Sequence, residues 1–437
     1  MTWISNKTVD SILIVTKKAL IRNWEEEITR HSHLRAKILD QDPKTIFFAL
    51  NAPARIYLTH YEVCIAAESI LSLFLKTRDV AIICDESQKF KNPDSSLASS
   101  MFKLAPGFKR RVIMTGTPIA NRPYDIWSQI YFLDHGESLG DNYDQFKTDL
   151  DLPDNDQDRD AHYLFKHALS DVYSRIKRFS VRETKLSCGI ELPTKEVENV
   201  PVSFAKEQQR LYDKYRDEIQ VDVYKNGRLV TDNAEAILKR LLRLVQIASN
   251  PILVDESYSE IPAKFKVLLG IIDKQTSDNS KVIVWTSFTE NADWLYKSLK
   301  HYSPVKVHGR IAIEERNASI KRFKEDSSCK IFIATPGAAK EGLTLTVSNC
   351  AVFYDRSFSL DDYLQSQDRI HRISQKDTCY IYNLIMKDSI DEWVDELLTA
   401  KHIAAQYGQG DISEDQFSER MSYDFTSMLR TVLNIHN

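Results

Sequence analysis

Short runs of aliphatic and β-branched residues recur along the first part of the chain, separated by stretches whose apolar positions fall three and four apart. Residues 12–15, 56–59, 80–84 and 111–114 predict strands, and the segments between them predict helices. Strands alternating with helices predict a parallel sheet covered on both faces. The acidic, Gly- and Asp-containing run 136–160 breaks this rhythm and predicts a solvent-exposed excursion, after which helical spacing returns over 163–179. Residues 191–204 are extended and Pro-bounded. From 205 to 250 the pattern is helical again, with Leu238, Leu241, Leu242 and Val245 as an apolar stripe. A second alternating layer opens near Lys264, with strands expected at 282–285, 331–334, 350–354 and 380–385. No short repeat or low-complexity tract is present, so the two halves read as two lobes rather than an array.

Two places in this pattern carry chemistry. The buried run 81–84 ends in Asp85 and Glu86. Charges at the C-terminal tip of a parallel strand face the crevice where open α/β sheets bind ligands. One carboxylate can hold Mg²⁺ on a nucleotide while its neighbour orients an attacking water; a solvated acidic turn is the plain alternative. In the second half, Ser359 and Asp362 form a capping-box-like start to a helix expected to carry Arg369 and Arg372. Residues three apart share a helix face, and planar guanidinium forks suit phosphate oxygens. The alternative there is a solvated basic face. Thr115, Gly116 and Thr117 follow the strand at 111–114, where Gly116 permits a tight turn and the hydroxyls can bond toward the neighbouring carboxylates.

The order of these segments resembles that of superfamily-two helicases, in the form seen in Swi/Snf-type DNA translocases. Residues 81–92 (AIICDESQKFKN) resemble the family's Asp-Glu box. SILIVTKKALIRNWEEEI, at 11–28, resembles motif Ia, whose Trp-x-x-Glu packs the turn, and IYLTHYEV at 56–63 resembles motif Ib. MTGTPIANRPYDIW at 114–127 resembles motif III and VIVWTSFTENADWL at 282–295 motif IV. IFIATPGAAKEGLTLT at 331–346 and QSQDRIHRISQ at 365–375 resemble motifs V and VI. The resemblance covers nearly the whole chain apart from its last few dozen residues. It implies an α/β fold of two RecA-like lobes with parallel sheets and helical insertions, binding ATP and Mg²⁺ in the cleft between lobes and moving on double-stranded DNA.

Site roles follow from the same resemblance. Asp85 would hold Mg²⁺, Glu86 would orient the water, and Arg369 and Arg372 would contact the triphosphate. Gln88, Gly342 and Gln367 join the nucleotide site, and Thr115, Gly116 and Thr117 couple it to DNA. Lys17, Thr59, Ser287 and Thr344 would contact phosphate and sugar, without sequence readout. The implied domains are a first lobe over 1–190 with an insertion at about 136–180, a crossing segment and helical insertion over 191–262, a second lobe over 263–398, and a helical tail over 399–437.

One box is missing from this order. A phosphate-cradling P-loop ends in Gly-Lys-Ser/Thr, and none of the 12 glycines is followed by Lys. The motif Ia strand begins by Ser11, whereas a strand, P-loop and helix need roughly 30 residues. The first βα unit is therefore expected to be absent, leaving Ile82, Ile83 and Cys84 beside an unpaired neighbour. Three readings stand: a motor ATPase, active as an enzyme once the P-loop is supplied by another polypeptide or by sequence left off at the start of the gene, a non-hydrolysing DNA-binding or regulatory relic, or an unrelated α/β enzyme whose motifs are accidental.

Composition narrows the rest. A hydrophobic content of 43% and charged content of 27% fit a globular chain, and no run approaches the roughly 20 apolar residues of a membrane helix. The first ten residues lack the basic and apolar regions of a signal peptide. Six scattered cysteines without a C-x-x-C pair argue against zinc and disulfides and for a reducing cytoplasm, with DNA association placing the chain at the nucleoid or in a nucleus. A net charge of −4 leaves any DNA contact to local basic patches. The histidines show no metal-ligand spacing. Trp285, Phe288 and Trp294 read as core rather than as base-stacking platforms.

Overall fold

The computed structural model describes residues 2–40, 42–119, 122–150, 159–183, 187–225, 228–229, 234–277, 280–339, 343–421 and 431–433. The chain forms two compact units. The first comprises Met1–Leu152, Arg159–Val181 and Ile403–Arg420, and the second is built mainly of Arg182–His402.

The first unit holds a five-stranded parallel sheet of β1 (Ser11–Thr16), β2 (Ala36–Leu39), β3 (Ile56–His60), β4 (Val80–Asp85) and β5 (Arg110–Met114), in the order β2-β3-β1-β4-β5. Its strands are apolar almost throughout because both faces are covered. Leu13, Val15, Ile82 and Cys84 pack on one face with Tyr61, Phe90 and Met101. Ile12, Ile14, Leu58 and Ala81 pack on the other, with Trp24 and Ile28 of the helix Ile21–His31. β4 pairs in parallel with β1 on one side and β5 on the other. The expectation of an unpaired neighbour beside Ile82–Cys84 is thus corrected: among the described residues the open edges are β2 and β5. Strand composition tells which segments pair, but not in which order. Two arginines at the start of β5, with Arg110 and Met114 exposed and the rest only half-buried, are how an edge strand resists stray pairing.

Within the run 136–160, residues 136–150 are more ordered than the acidity suggests, and residues 151–158 lie outside the described residues. The run contains the helix Tyr143–Leu150, and Leu139 and Leu150 are buried. Residues 403–420 pack on the helix Arg159–Ile176 within this unit. Phe417 stacks on Tyr407 at 4.5 Å and approaches Phe165, and Lys166 pairs with Glu414 at 2.7 Å. Gly410, at a φ of +75°, lies where a Cβ would collide with the Tyr173 ring.

The second unit contains β6 (Lys195–Val202), a short antiparallel hairpin of β7 (Tyr224–Lys225) and β8 (Arg228–Leu229), and then β9 (Val282–Trp285), β10 (Val305–Val307), β11 (Ile331–Ala334), β12 (Cys350–Phe353) and β13 (Cys379–Met386). Six of these form a parallel sheet in the order β10-β11-β9-β12-β13-β6. The central strands β9, β11 and β12 are wholly buried. The extended segment at 191–204 supplies β6, whose charges and Pro201 suit an edge position. Trp285 is fully buried and Trp294 meets Phe265 edge to face, as the core reading requires. Leu242 departs from the apolar stripe and is exposed, while Leu241 and Val245 are buried. Lys264 is wholly buried; its ammonium pairs with Asp391 at 2.5 Å and donates to the Tyr354 carbonyl at 3.0 Å, tying the start of the helix Ala263–Ser277 to the sheet. Among the described residues no helix is long and apolar enough to cross a membrane.

The strand order predicts a gradient of amide protection. In hydrogen exchange, Val80–Asp85 should exchange as slowly as Val282–Trp285, and Arg110–Met114 distinctly faster. Equal protection of β5 and β4 in a monomer would mean that the β5 edge is covered.

Candidate functional site

The parallel register of the first sheet brings four strand tips to one edge. Thr16 lies opposite His60, Val15 opposite Cys84, and Asp85 opposite Met114. The residues that follow, Lys17, Tyr61, Glu86 and Thr115, are therefore gathered at that edge.

Asp85 is held closely. Its Oδ2 accepts from Thr16 Oγ1 at 3.0 Å and from Trp24 Nε1 at 2.8 Å. Its backbone carbonyl accepts from the Tyr61 hydroxyl at 2.7 Å. Burial pushes the Tyr61 phenol well above its ordinary pKa, so it stays a donor at any physiological pH. Asp85 Oδ1 has no hydrogen-bond partner among the described residues. Glu86 takes a left-handed backbone conformation (φ 56°, ψ 47°), which costs a non-glycine residue about 1–2 kcal/mol. Its carboxylate pairs with Lys17 Nζ at 3.2 Å and accepts from Gln88 Nε2. Gln88 accepts in turn from Thr115 Oγ1 at 2.8 Å, and Thr115 Oγ1 accepts from the Thr117 amide at 3.1 Å. Two further ties join the same loops: Lys91 to Asp125 at 2.7 Å, and Ser87 Oγ to Gln129 Oε1 at 2.7 Å. These contacts join the loop after β4 to the segment after β5. Gly116 has a φ outside the left-handed region and open space around it, so its turn does not need glycine.

The donor set fits one Mg²⁺ ion held by a single carboxylate oxygen. Asp85 Oδ1 is open, Glu86 already carries a cation, and no group of three or more His, Cys, Asp or Glu residues capable of holding a metal occurs among the described residues. Mg²⁺ commonly binds through one or two carboxylates together with substrate phosphates and water, without an all-protein cage.

The second unit repeats the arrangement with a different outcome. Asp355, just beyond β12, is buried and both its oxygens are used. Oδ1 accepts the Ser287 amide at 2.6 Å; Oδ2 accepts Ser249 Oγ at 2.7 Å and Thr286 Oγ1 at 2.6 Å. The Ser287 hydroxyl is itself buried with no hydrogen-bond partner among the described residues. Ser359 caps the helix Leu360–Gln367, accepting the Asp362 amide at 3.2 Å. That helix ends before Arg369 and Arg372, which lie in the turns beyond it, so the shared helix face does not exist. Arg369 is buried, its Nη1 3.4 Å from the Leu343 carbonyl. Arg372 donates to Thr344 Oγ1 at 2.9 Å and to the Asp368 carbonyl, and burial lowers its pKa. Gln367 accepts from Lys195 Nζ at 2.9 Å. Gly342 lies outside the described residues.

Of the four positions implied for DNA, Thr59 is buried and its hydroxyl donates to the Leu39 carbonyl at 2.5 Å. Lys17 is turned onto Glu86, and Thr344 accepts from Arg372. Sequence reasoning missed Thr16, Trp24 and Asp355. The first two sit in the motif Ia segment, where Trp24 read only as packing; Asp355 carried the same signal as Asp85, an acid just past an apolar strand.

The sequence pattern of the SNF2-related domain matches residues 3–253, more than half of the chain. The chain belongs to the SNF2-related family. The helicase conserved C-terminal domain matches residues 263–374 of this SNF2-related chain. Among curated relatives, an uncharacterized ATP-dependent helicase of Mycoplasma genitalium is 26% identical over 406 residues, covering 92% of this chain and 37% of the relative. The ISWI chromatin-remodeling complex ATPase ISW1 of Saccharomyces cerevisiae is 26% identical over 411 residues, covering 89% and 35%. The chain thus spans little more than a third of the length of these relatives. Among solved structures, the Sulfolobus solfataricus SWI2/SNF2 ATPase core in complex with dsDNA is 24% identical, with a TM-score of 0.44 over 100% of this chain and 89% of that one.

The left-handed backbone at Glu86 yields a stability prediction that does not depend on catalysis. Glu86→Gly and Glu86→Ala both remove the carboxylate, but only glycine relieves the backbone. The glycine variant should be the more stable by about 1 kcal/mol in denaturant unfolding, the reverse of the usual Ala-over-Gly order. Alanine as stable as glycine would mean that this residue is not left-handed in solution.

Proposed function

We propose that this chain is the core of an ATP-driven translocase that moves on double-stranded DNA. One observation carries the reading: Asp85 is fixed with one carboxylate oxygen open, beside Glu86, at the tip of a strand adjoining the open edge of β5. A parallel strand added to β5 would deliver the turn that follows it to the same edge of the sheet. A βα unit carrying Gly-Lys-Ser/Thr, from whichever polypeptide, is the chemistry that position lacks, because its backbone amides and lysine would cradle the phosphates.

In this proposal Asp85 orients toward Mg²⁺, the ion supplying charge neutralisation on the phosphates when bound. Glu86 orients the water, and Lys17 releases it or shares it with the nucleotide. The roles that motif order implies for Gln88, Gly342, Gln367, Arg369 and Arg372 toward ATP, and for Thr115, Gly116 and Thr117 in coupling, belong to the same proposal. So do Lys17, Ser287 and Thr344 as DNA contacts; Thr59, with its hydroxyl taken up inside the sheet, supports the DNA reading least. A second reading, a non-hydrolysing DNA-binding relic, has one observation in its favour: the Lys17–Glu86 ion pair holds the candidate base neutralised.

ATP turnover separates the two. The chain joined to such a βα unit should hydrolyse ATP faster when duplex DNA is added, and Glu86→Gln should lower that rate at least about a hundredfold, the range of a lost general base. Binding to duplex should be indifferent to sequence. For about six neutralised phosphates, log affinity should fall against log salt with a slope of roughly −5. DNA binding of this kind without any Glu86-dependent turnover would favour the relic, and strong preference for one duplex over its scrambled form would contradict both.

A further inference from the structure

Trp24 and Thr16 reach Asp85 from two different elements. Thr16 closes β1 and is completely buried, and Trp24 lies in the helix Ile21–His31, packed partly into the core on one face of the sheet. Both donate to the same oxygen, Oδ2, at 3.0 and 2.8 Å, while Tyr61 holds the Asp85 backbone carbonyl at 2.7 Å. An indole N–H only donates, so it cannot be exchanged for an acceptor without losing its bond. The Thr16 hydroxyl, enclosed by the sheet, likewise spends its one proton on this carboxylate. Turning the carboxyl group about its side chain would break both bonds at once.

We infer that Trp24 and Thr16 are positioning residues that saturate Asp85 Oδ2 and leave Oδ1 alone to face a divalent cation. The inference rests on the reading of Asp85 as the carboxylate that meets Mg²⁺, and it adds how that carboxylate is aimed. A carboxylate with one oxygen occupied binds a cation through the other only. That suits the compact, near-octahedral Mg²⁺ and disfavours the two-oxygen clasp that Ca²⁺ often takes. Removal of outer partners of this kind typically weakens metal binding by about 10–100-fold. The Trp-x-x-Glu segment, which in sequence reads as packing for a turn, thereby acquires a polar duty toward the neighbouring strand tip.

The test uses the full chain and Mn²⁺ alone as a paramagnetic stand-in for Mg²⁺. The chain has six tryptophans, so a ¹⁵N spectrum shows six indole N–H signals, and Trp24→Phe identifies one by its loss. Mn²⁺ should broaden the Trp24 signal before the other five, Mg²⁺ should reverse the broadening, and Asp85→Asn should abolish the effect. Thr16→Val keeps the shape of the side chain and removes the hydroxyl, and should weaken Mn²⁺ binding about tenfold. Thr16→Ser, which keeps the hydroxyl, should retain most of the affinity, an outcome that a purely structural role for this side chain does not predict. Trp24→Phe, followed by Mn²⁺ relaxation of water, provides the same comparison should the Thr16 variants fold poorly. If Asp85→Asn abolishes binding while Trp24→Phe and Thr16→Val bind like the parent, the positioning role is overturned and the Mg²⁺ reading stands. If Asp85→Asn changes nothing, the Mg²⁺ reading falls and the positioning role with it.

Discussion

Parallel pairing of β4 between β1 and β5 is the constraint on which the candidate site depends. Parallel strands in register end at the same edge, so a short apolar run in each is enough to bring Thr16, Tyr61, Asp85 and Thr115 within reach of one another. The pairing also satisfies the backbone of β4 on both sides, which lets its strand be buried while its last side chain stays partly exposed. What happens at the tip is then decided by a few donors. Two of them fill one oxygen of Asp85, a lysine neutralises Glu86, and a glutamine links Glu86 to the loop after β5. The left-handed backbone of Glu86 is the one strained element in this set, and it persists because the pairs on either side over-determine it.

The second unit shows a strand-tip acid with neither oxygen left over. Asp355 occupies the corresponding place after an apolar strand, yet hydroxyl and amide donors take both its oxygens, and it serves to fasten the loop after β9 and the end of the helix Ala234–Ser249. Asp85 differs by a single open oxygen. Position after a strand therefore nominates a carboxylate, and saturation of its lone pairs separates the two cases.

Much of this architecture was legible in the sequence because buried parallel strands are written as unbroken apolar runs. The strands ending at Asp85, Trp285, Ala334 and Phe353 are of that kind. β2 and β10 escaped notice as short, partly polar runs, and β6 because its charges and proline suit an edge. Strand order was not legible, since nothing in the run Ile82–Cys84 says which neighbours it will find; the open edge was accordingly expected one strand away from its place at β5. The Arg369 and Arg372 pair illustrates a different limit. Ser359 marked where its helix starts, but no signal marked the stop at Gln367, and a spacing of three has meaning only while the helix continues. Hydrogen bonds between distant residues, such as Trp24 to Asp85, are absent from any local pattern.

In the function proposed above, a strand added at the open edge of β5 turns the strand tips into a nucleotide site. Hydrogen exchange on the chain mixed with a separate βα polypeptide carrying Gly-Lys-Thr, in the presence of ATP and Mg²⁺, tests this most directly. New protection is expected at Arg110–Met114, with Ala36–Leu39 on the opposite edge unchanged. Protection appearing at Ala36–Leu39 instead, or nucleotide binding with β5 still exchanging freely, would contradict it.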